Sequence, residues 1–137
     1  MASTPPWFVS SLEIPRKSTI VVLDDDSSIH KVWDGRFHAL LEADKDLELF
    51  HLSTPEDFKD WYYENSIRKN EINYLIDYEL IGFQDNGLNL IETLNIGKKS
   101  FLVTSHFNEA KIQEGCERLL VRIIPKEMAG FVPIKLH

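Results

Sequence analysis

One cysteine in 137 residues, Cys116, excludes an internal disulfide and suits a reducing compartment. No apolar run approaches the roughly 18 residues that a membrane span requires. The stretch from Met1 to Ser11 lacks the basic segment and long apolar core of a secretory leader. Basic side chains are in the minority, 15 against 22 acidic, for a net charge of −7. A nucleic-acid surface, which needs a basic stripe, is therefore not expected, nor is direct membrane contact. The histidines His30, His38, His51, His106 and His137 show no spacing suited to a structural zinc site. No internal repeat or low-complexity tract is present. What remains is 43% hydrophobic and 27% charged, the composition of one cytoplasmic domain able to bury a single core.

Strand and helix signals alternate from Thr19 onward, which predicts βαβ units around a parallel sheet. Thr19–Leu23 is a continuous β-branched apolar run, as expected of a strand covered on both faces. Ile29, Val32, Trp33, Phe37, Leu40 and Leu41 then recur at helical spacing after Ser27 or Ser28 as a cap. Leu47–Leu52 reads as the second strand. Thr54-Pro55-Glu56-Asp57 opens the second helix, with a capping residue and proline at its first position. Tyr74–Asp77 is the third strand, and Gly87 begins a short helix ending near Gly97. Ser100–Val103 and Val121–Ile124 complete five strands, with a helix striped by Ile112, Cys116 and Leu119 between them. Gly130 and Pro133 argue against a fifth helix, because proline disrupts a helix interior by about 3 kcal/mol. Residues 1–18 read as an arm or linker and 19–137 as the domain. The arm nevertheless carries Trp7, Phe8, Val9, Leu12 and Ile14, more apolar surface than a free linker needs.

Polar groups stand where these strands end. Asp24, Asp25 and Asp26 follow the first strand, Asp77 ends the third, Thr104 and Ser105 follow the fourth, and Lys126 follows the fifth. Parallel α/β sheets bind ligands beyond the carboxyl ends of their strands, so these groups are expected to share one crevice. An acidic pair, a further aspartate, a hydroxyl and a cation suit phosphoryl transfer to a carboxylate. Taken singly each group has an ordinary explanation: a helix N-terminus for the acids, a cap for Thr104, a solvated lysine for Lys126. Their order at successive strand ends is what carries the argument.

In these residues the chain resembles the receiver domain of two-component signalling, over roughly Thr19 to Lys126. Asp24 and Asp25 match that family's acidic pair, Asp77 its phosphoacceptor, Thr104 its hydroxyl residue and Lys126 its lysine. Asp24-Asp25-Asp26-Ser27-Ser28-Ile29-His30, Leu102-Val103-Thr104-Ser105 and Ile124-Pro125-Lys126 look like receivers at the C-termini of hybrid sensor histidine kinases. Pro5-Pro6-Trp7-Phe8 is similar to the junction leaving such a kinase's ATP-binding domain. The resemblance implies a flavodoxin-like, doubly wound five-stranded parallel sheet of strand order 2-1-3-4-5, with the fifth helix short or missing. It implies Mg2+ as cofactor, held through Asp24, Asp25, Asp77 and the main-chain carbonyl of Glu79. It also implies a phosphoryl group taken onto Asp77 from a histidine kinase or histidine phosphotransfer domain in the same parent protein, with the isolated domain a monomer. In receivers the positions of Glu79 and His106 flank the water that hydrolyses the acyl phosphate, so these two residues are expected to set its lifetime.

The sequence departs from the receiver pattern in four places, the first being that Asp77 is not followed by the usual proline a few residues on. The loop Tyr78–Asn86 is about two residues longer than typical. Proline precedes rather than follows Lys126. Ile123 stands where an aromatic switch residue is usual. A competing reading is a haloacid-dehalogenase-like phosphatase with Asp24 as nucleophile, since Val22-Leu23-Asp24-Asp25-Asp26 contains that family's hydrophobic-Asp-x-Asp. It leaves Asp77 without a role and lacks an acidic pair after Lys126.

Overall fold

The largely β-branched run from Thr19 to Leu23 forms an interior strand of the sheet, every residue of it buried. A computed structural model describes residues 9–69 and 71–137. The elements run β1 (Leu12–Ile14), β2 (Thr19–Leu23), α1 (Ser27–Ala43), β3 (Glu48–Leu52), α2 (Pro55–Asn65), β4 (Ile72–Asp77), α3 (Gly87–Leu94), β5 (Ser100–Thr104), α4 (Ala110–Leu119), β6 (Arg122–Pro125) and β7 (Ile134–Leu136). Single 3-10 turns at Gly97–Lys99 and Lys126–Met128 follow α3 and β6.

Five strands pair in parallel in the order β3-β2-β4-β5-β6. With β2 counted as the first strand of the sheet, this is the 2-1-3-4-5 order expected of a flavodoxin-like fold. Alternation along the strands divides the core in two. On one face Val21, Leu23, Tyr74, Ile76, Leu102 and Ile123 meet Phe58 and Trp61 of α2, Leu90, Ile91 and Leu94 of α3, and Ile112 and Cys116 of α4. On the other, Ile20, Val22, Leu75, Phe101, Val103 and Ile124 meet Trp33 and Phe37 of α1. Burial pushes the Cys116 thiol up to about 12, so it acts as an apolar core residue.

The helix ends follow local chemistry. Asp26 caps α1 by accepting from the Ser28 amide, so the cap precedes the serines. Thr54 caps α2 through the Asp57 amide with Pro55 in the first turn, as read from the sequence. α3 stops at Leu94, earlier than Gly97, on a left-handed Asn95.

Among the described residues no fifth α-helix follows β6. Its place beside α1 is taken by a two-stranded parallel pair, β1 with β7, joining Leu12 to Ile134 and Ile14 to Leu136. Val9, Leu12, Ile14, Ala129 and Val132 are buried in the same core as Trp33 and Phe37. Arg36 of α1 holds the connecting turn by donating to the carbonyls of Ala129, at 2.5 Å, and Val132. The sequence pattern predicts no strand at either end. Trp7 and Phe8 lie outside the described residues. Among the described residues no helix is long and apolar enough to cross a membrane.

Candidate functional site

The loop after β2 is folded by its own carboxylates. Asp24 Oδ1 accepts from the Asp26 amide at 2.8 Å, while the Asp24 amide donates to the Leu52 carbonyl of β3. That leaves Asp24 buried at the carboxyl end of β2 with Asp25 beside it, half-buried. Asp25 Oδ2 accepts from the Ile81 amide at 3.1 Å, tying this loop to the one after β4. Asp77, the last residue of β4, is buried to 3% exposure. Gly87 permits this geometry: a Cβ there would lie 2.1 Å from the Asp77 carbonyl oxygen, so only glycine lets α3 start against the strand end.

Asp24, Asp25 and Asp77 bring one carboxylate oxygen each to within 4.8 Å of one another. Lys126, at the start of the turn after β6, reaches in from the opposite side. Its Nζ lies 3.3 Å from Asp24 Oδ2 and 3.2 Å from Asp77 Oδ1. Thr104, at the end of β5, is also buried, and its Oγ1 accepts from the His106 amide at 2.9 Å. Its hydroxyl proton is left free for an anion. Asp25, Asp77, Thr104 and Lys126, with Asp26, Ser27, Glu79, Ile81, Ser105 and His106, line a cleft of about 420 Å³, and Asp24 lies buried behind it. The residues expected to converge from four strand ends do so.

The electrostatics follow from burial and crowding. Burial, then the neighbouring Asp24 charge, push the Asp77 carboxyl up to about 7 despite the Lys126 ammonium. Burial likewise raises Asp24, opposed by the Asp26 amide and by Lys126. Burial acts against the Lys126 charge, but Asp24 and Asp77 outweigh it and hold its pKa above the ordinary lysine value. Asp77 Oδ2 is buried with no hydrogen-bond partner. Three carboxylates facing a single cation, one with an unpartnered oxygen, are short of positive charge. Their hard oxygen donors suit a divalent cation such as Mg2+.

Over the cleft, His106 sits between two carboxylates, its Nε2 on Glu79 and its Nδ1 on Glu109. The bond to Glu109 raises its pKa against partial burial, and the Glu79 charge adds to this. Sequence reasoning missed Glu109 as a partner, although its spacing of three from His106 is visible there. The Ile81 amide on Asp25 is a main-chain contact with no sequence signal.

Neither models of protein families nor curated proteins match this sequence. A structural match does exist: a putative response regulator from Chloroflexus aurantiacus J-10-fl superposes with a TM-score of 0.55 at 11% identity, over 82% of this chain and 90% of that one. At that identity the likeness speaks for the fold. This chain has the parallel α/β architecture of a receiver domain.

Proposed function

We propose that this chain is a phosphoacceptor receiver domain of a two-component or phosphorelay system, with Asp77 as the acceptor. The reading rests above all on Asp77: a buried carboxylate with a raised pKa, one oxygen on Lys126, the other unpartnered, and two more aspartates beside it.

The chemistry assigned to each residue follows. An Asp77 carboxylate oxygen attacks phosphorus in line; an O–P bond forms and the P–N bond to the donor histidine breaks, its electron pair returning to the imidazole. The product is an acyl phosphate on Asp77. Lys126 exchanges its Asp77 contact for a phosphoryl oxygen and neutralises part of the added charge. Thr104 donates a hydrogen bond from its hydroxyl to another phosphoryl oxygen. Asp25, Asp77 and the Glu79 carbonyl would hold Mg2+, with Asp24 holding one of its waters, and the ion when bound neutralises phosphoryl charge and relieves repulsion among the carboxylates. Little covalent work falls to the protein beyond positioning.

The donor is assigned by this chemistry as a histidine kinase or a histidine phosphotransfer domain. The flanking motifs favour a position at the C-terminus of a cytoplasmic hybrid kinase. A phosphatase using Asp24 is disfavoured, because both Asp24 oxygens are committed, one to the Asp26 amide and one to Lys126.

Incubation with acetyl phosphate and Mg2+, borohydride trapping and peptide mapping test the assignment. Label is expected on Asp77 and absent from Asp25→Ala. Label on Asp24 with Asp77 unmodified would refute it.

A further inference from the structure

At the amino-terminal end of the sheet, the C-termini of α3 and α4 flank a second cavity of about 420 Å³. α3 stops at Leu94 and α4 at Leu119, and the 3-10 turn Gly97–Lys99 leads between them into β5. The cavity abuts the start of β5, whereas Thr104 of the acidic cleft is that strand's last residue. Gly97 makes the close approach possible, since a Cβ there would collide with the Leu119 carbonyl oxygen. Ile91, Ile96 and Leu119 give the cavity apolar walls, and Lys98, Lys99 and Arg118 supply cations. Among the described residues no acidic side chain lines it, in a chain whose net charge is −7.

Cations near helix C-termini have an ordinary use, which is to offset the negative end of the helix dipole. That use explains neither the cavity nor Leu120. Leu120 caps α4 with φ 62° and ψ 31°, in the left-handed region where a Cβ is disfavoured and glycine or asparagine is the usual choice. Asn95 fills the same role at the end of α3. The Leu120 side chain is nevertheless 59% exposed at the cavity, so burial within the chain offsets little of that strain. Lys98 and Lys99 are uncommitted too: among the described residues neither side chain has an ion pair or a hydrogen bond. Arg118 gives Nη1 to Glu92 at 2.7 Å, one donor of the five on its guanidinium.

We propose that this cavity docks a short acidic peptide segment of a partner protein. An apolar side chain of the segment enters against Leu119 and Leu120, and its flanking carboxylates meet Lys98, Lys99 and Arg118. Charge complementarity selects the occupant: cations around apolar walls match acids around an apolar residue, and a neutral or basic segment leaves the lysines unpaired. The cavity has the volume of a small-ligand cleft and accepts a protruding side chain, which a flat lipid surface does not offer. The contact also gives the exposed, strained Leu120 the burial that the chain itself withholds. Five residues of β5 separate this cavity from the acidic cleft by roughly 13 Å, at a rise of about 3.3 Å per residue, so both can be occupied at once. The site stands whether or not Asp77 is a phosphoacceptor.

Selection of random peptides displayed on phage against the immobilised chain tests this, under chelator so that no metal in the acidic cleft recruits carboxylates. Peptides with acidic residues flanking an apolar one are expected to be enriched. A selected peptide added to isotope-labelled protein should shift the amide NMR signals of residues 96–99 and 118–121, and its affinity should fall with added salt. Lys98→Gln with Lys99→Gln should weaken binding roughly three- to tenfold, as for two exposed ion pairs. Leu120→Gly should weaken it roughly tenfold, the loss of one buried leucine contact. Asp77→Asn, at the other end of the sheet, should bind the peptide as the wild type does. Leu120→Gly should also melt no lower than the wild type, because glycine relieves the left-handed backbone. A lower melting temperature would return Leu120 to a structural role and remove it from the site. A selection without acidic peptides, peptides that shift other residues, or unchanged affinity in both variants would overturn the proposal. So would cosedimentation with phosphatidylserine vesicles that needs Lys98 and Lys99 while no peptide binds, since the cations would then serve a membrane surface.

Discussion

At neutral pH the Asp77 carboxyl is only about half ionised, because burial and the Asp24 charge outweigh Lys126. The sign of its effect on stability follows. A carboxyl whose folded pKa lies above its unfolded value of 3.8 binds more protons in the folded state between the two. Stability from this group is therefore present at low pH and lost as pH rises toward about 7. The loss amounts to a few kcal/mol, since each tenfold change in proton affinity is worth roughly 1.4 kcal/mol, and Asp24 acts in the same direction. Asp77→Asn should accordingly match the wild type near about pH 4 and exceed it at about pH 8 by a similar amount, in urea melts under chelator. Mg2+ should close that gap by stabilising only the wild type. A wild type more stable than the variant at the higher pH would contradict the raised pKa. A second residue-scale expectation concerns His106, whose ring, clamped by Glu79 and Glu109, roofs the cleft. On the proposed phosphoacceptor reading, removing the clamp would expose an acyl phosphate on Asp77 to water. Glu79→Ala with His106→Ala should shorten the phosphorylated lifetime several-fold by phosphate release, and an unchanged lifetime would remove the idea.

Elements whose sequence carries both a pattern and a punctuation mark are legible from the sequence alone. Thr19–Leu23 has five consecutive apolar or β-branched residues between Ser18 and three aspartates, and the strand has those same bounds. Thr54 and Pro55 mark the start of α2. The acidic residues, Asp77, Thr104 and Lys126 are legible for a topological reason, since strand ends on one side of a parallel sheet share a crevice whatever the intervening loops do. β1 and β7 are not legible. Each is three residues long, too short for a period to register, and each is a strand only because the other lies beside it across the whole chain. The close contact of the His30 and His51 rings is hidden likewise, for it needs β3 at the sheet edge and α1 above it. Burial weights the short strands heavily: Leu12 and Ile14 are fully buried. Leu12→Ala should cost about 2–5 kcal/mol, read as a lower urea midpoint with unchanged slope. A change within about 0.5 kcal/mol would mean that Val9–Ser18 is dispensable.

At the scale of the molecule, the β1–β7 pair changes what the domain can present to a partner. Receiver domains that drive transcription commonly associate through their fourth helix, fifth strand and fifth helix. Here α4 and β6 are present, but β6 leads into a 3-10 turn, then β7. The face of the sheet beside α1 is closed by Leu12, Ile14, Ala129 and Val132 rather than by a helix. Ile123, where an aromatic switch residue is usual, is fully buried in the opposite core against α4, so no ring stands there to rotate when Thr104 shifts toward a phosphoryl group. Arg36 pins the turn between β6 and β7 to α1 through two carbonyls, which further ties the C-terminal segment to the core. On the proposed receiver reading, phosphorylation would therefore lack both the moving side chain and the helical surface of the usual dimer, and we propose that the remodelled face contacts the parent kinase. Light scattering with Mg2+ and beryllofluoride, a phosphoryl mimic, should report a monomer with and without the mimic. A clean shift to dimer on adding it would show that α4 and β6 suffice for association and that the β1–β7 pair does not block it.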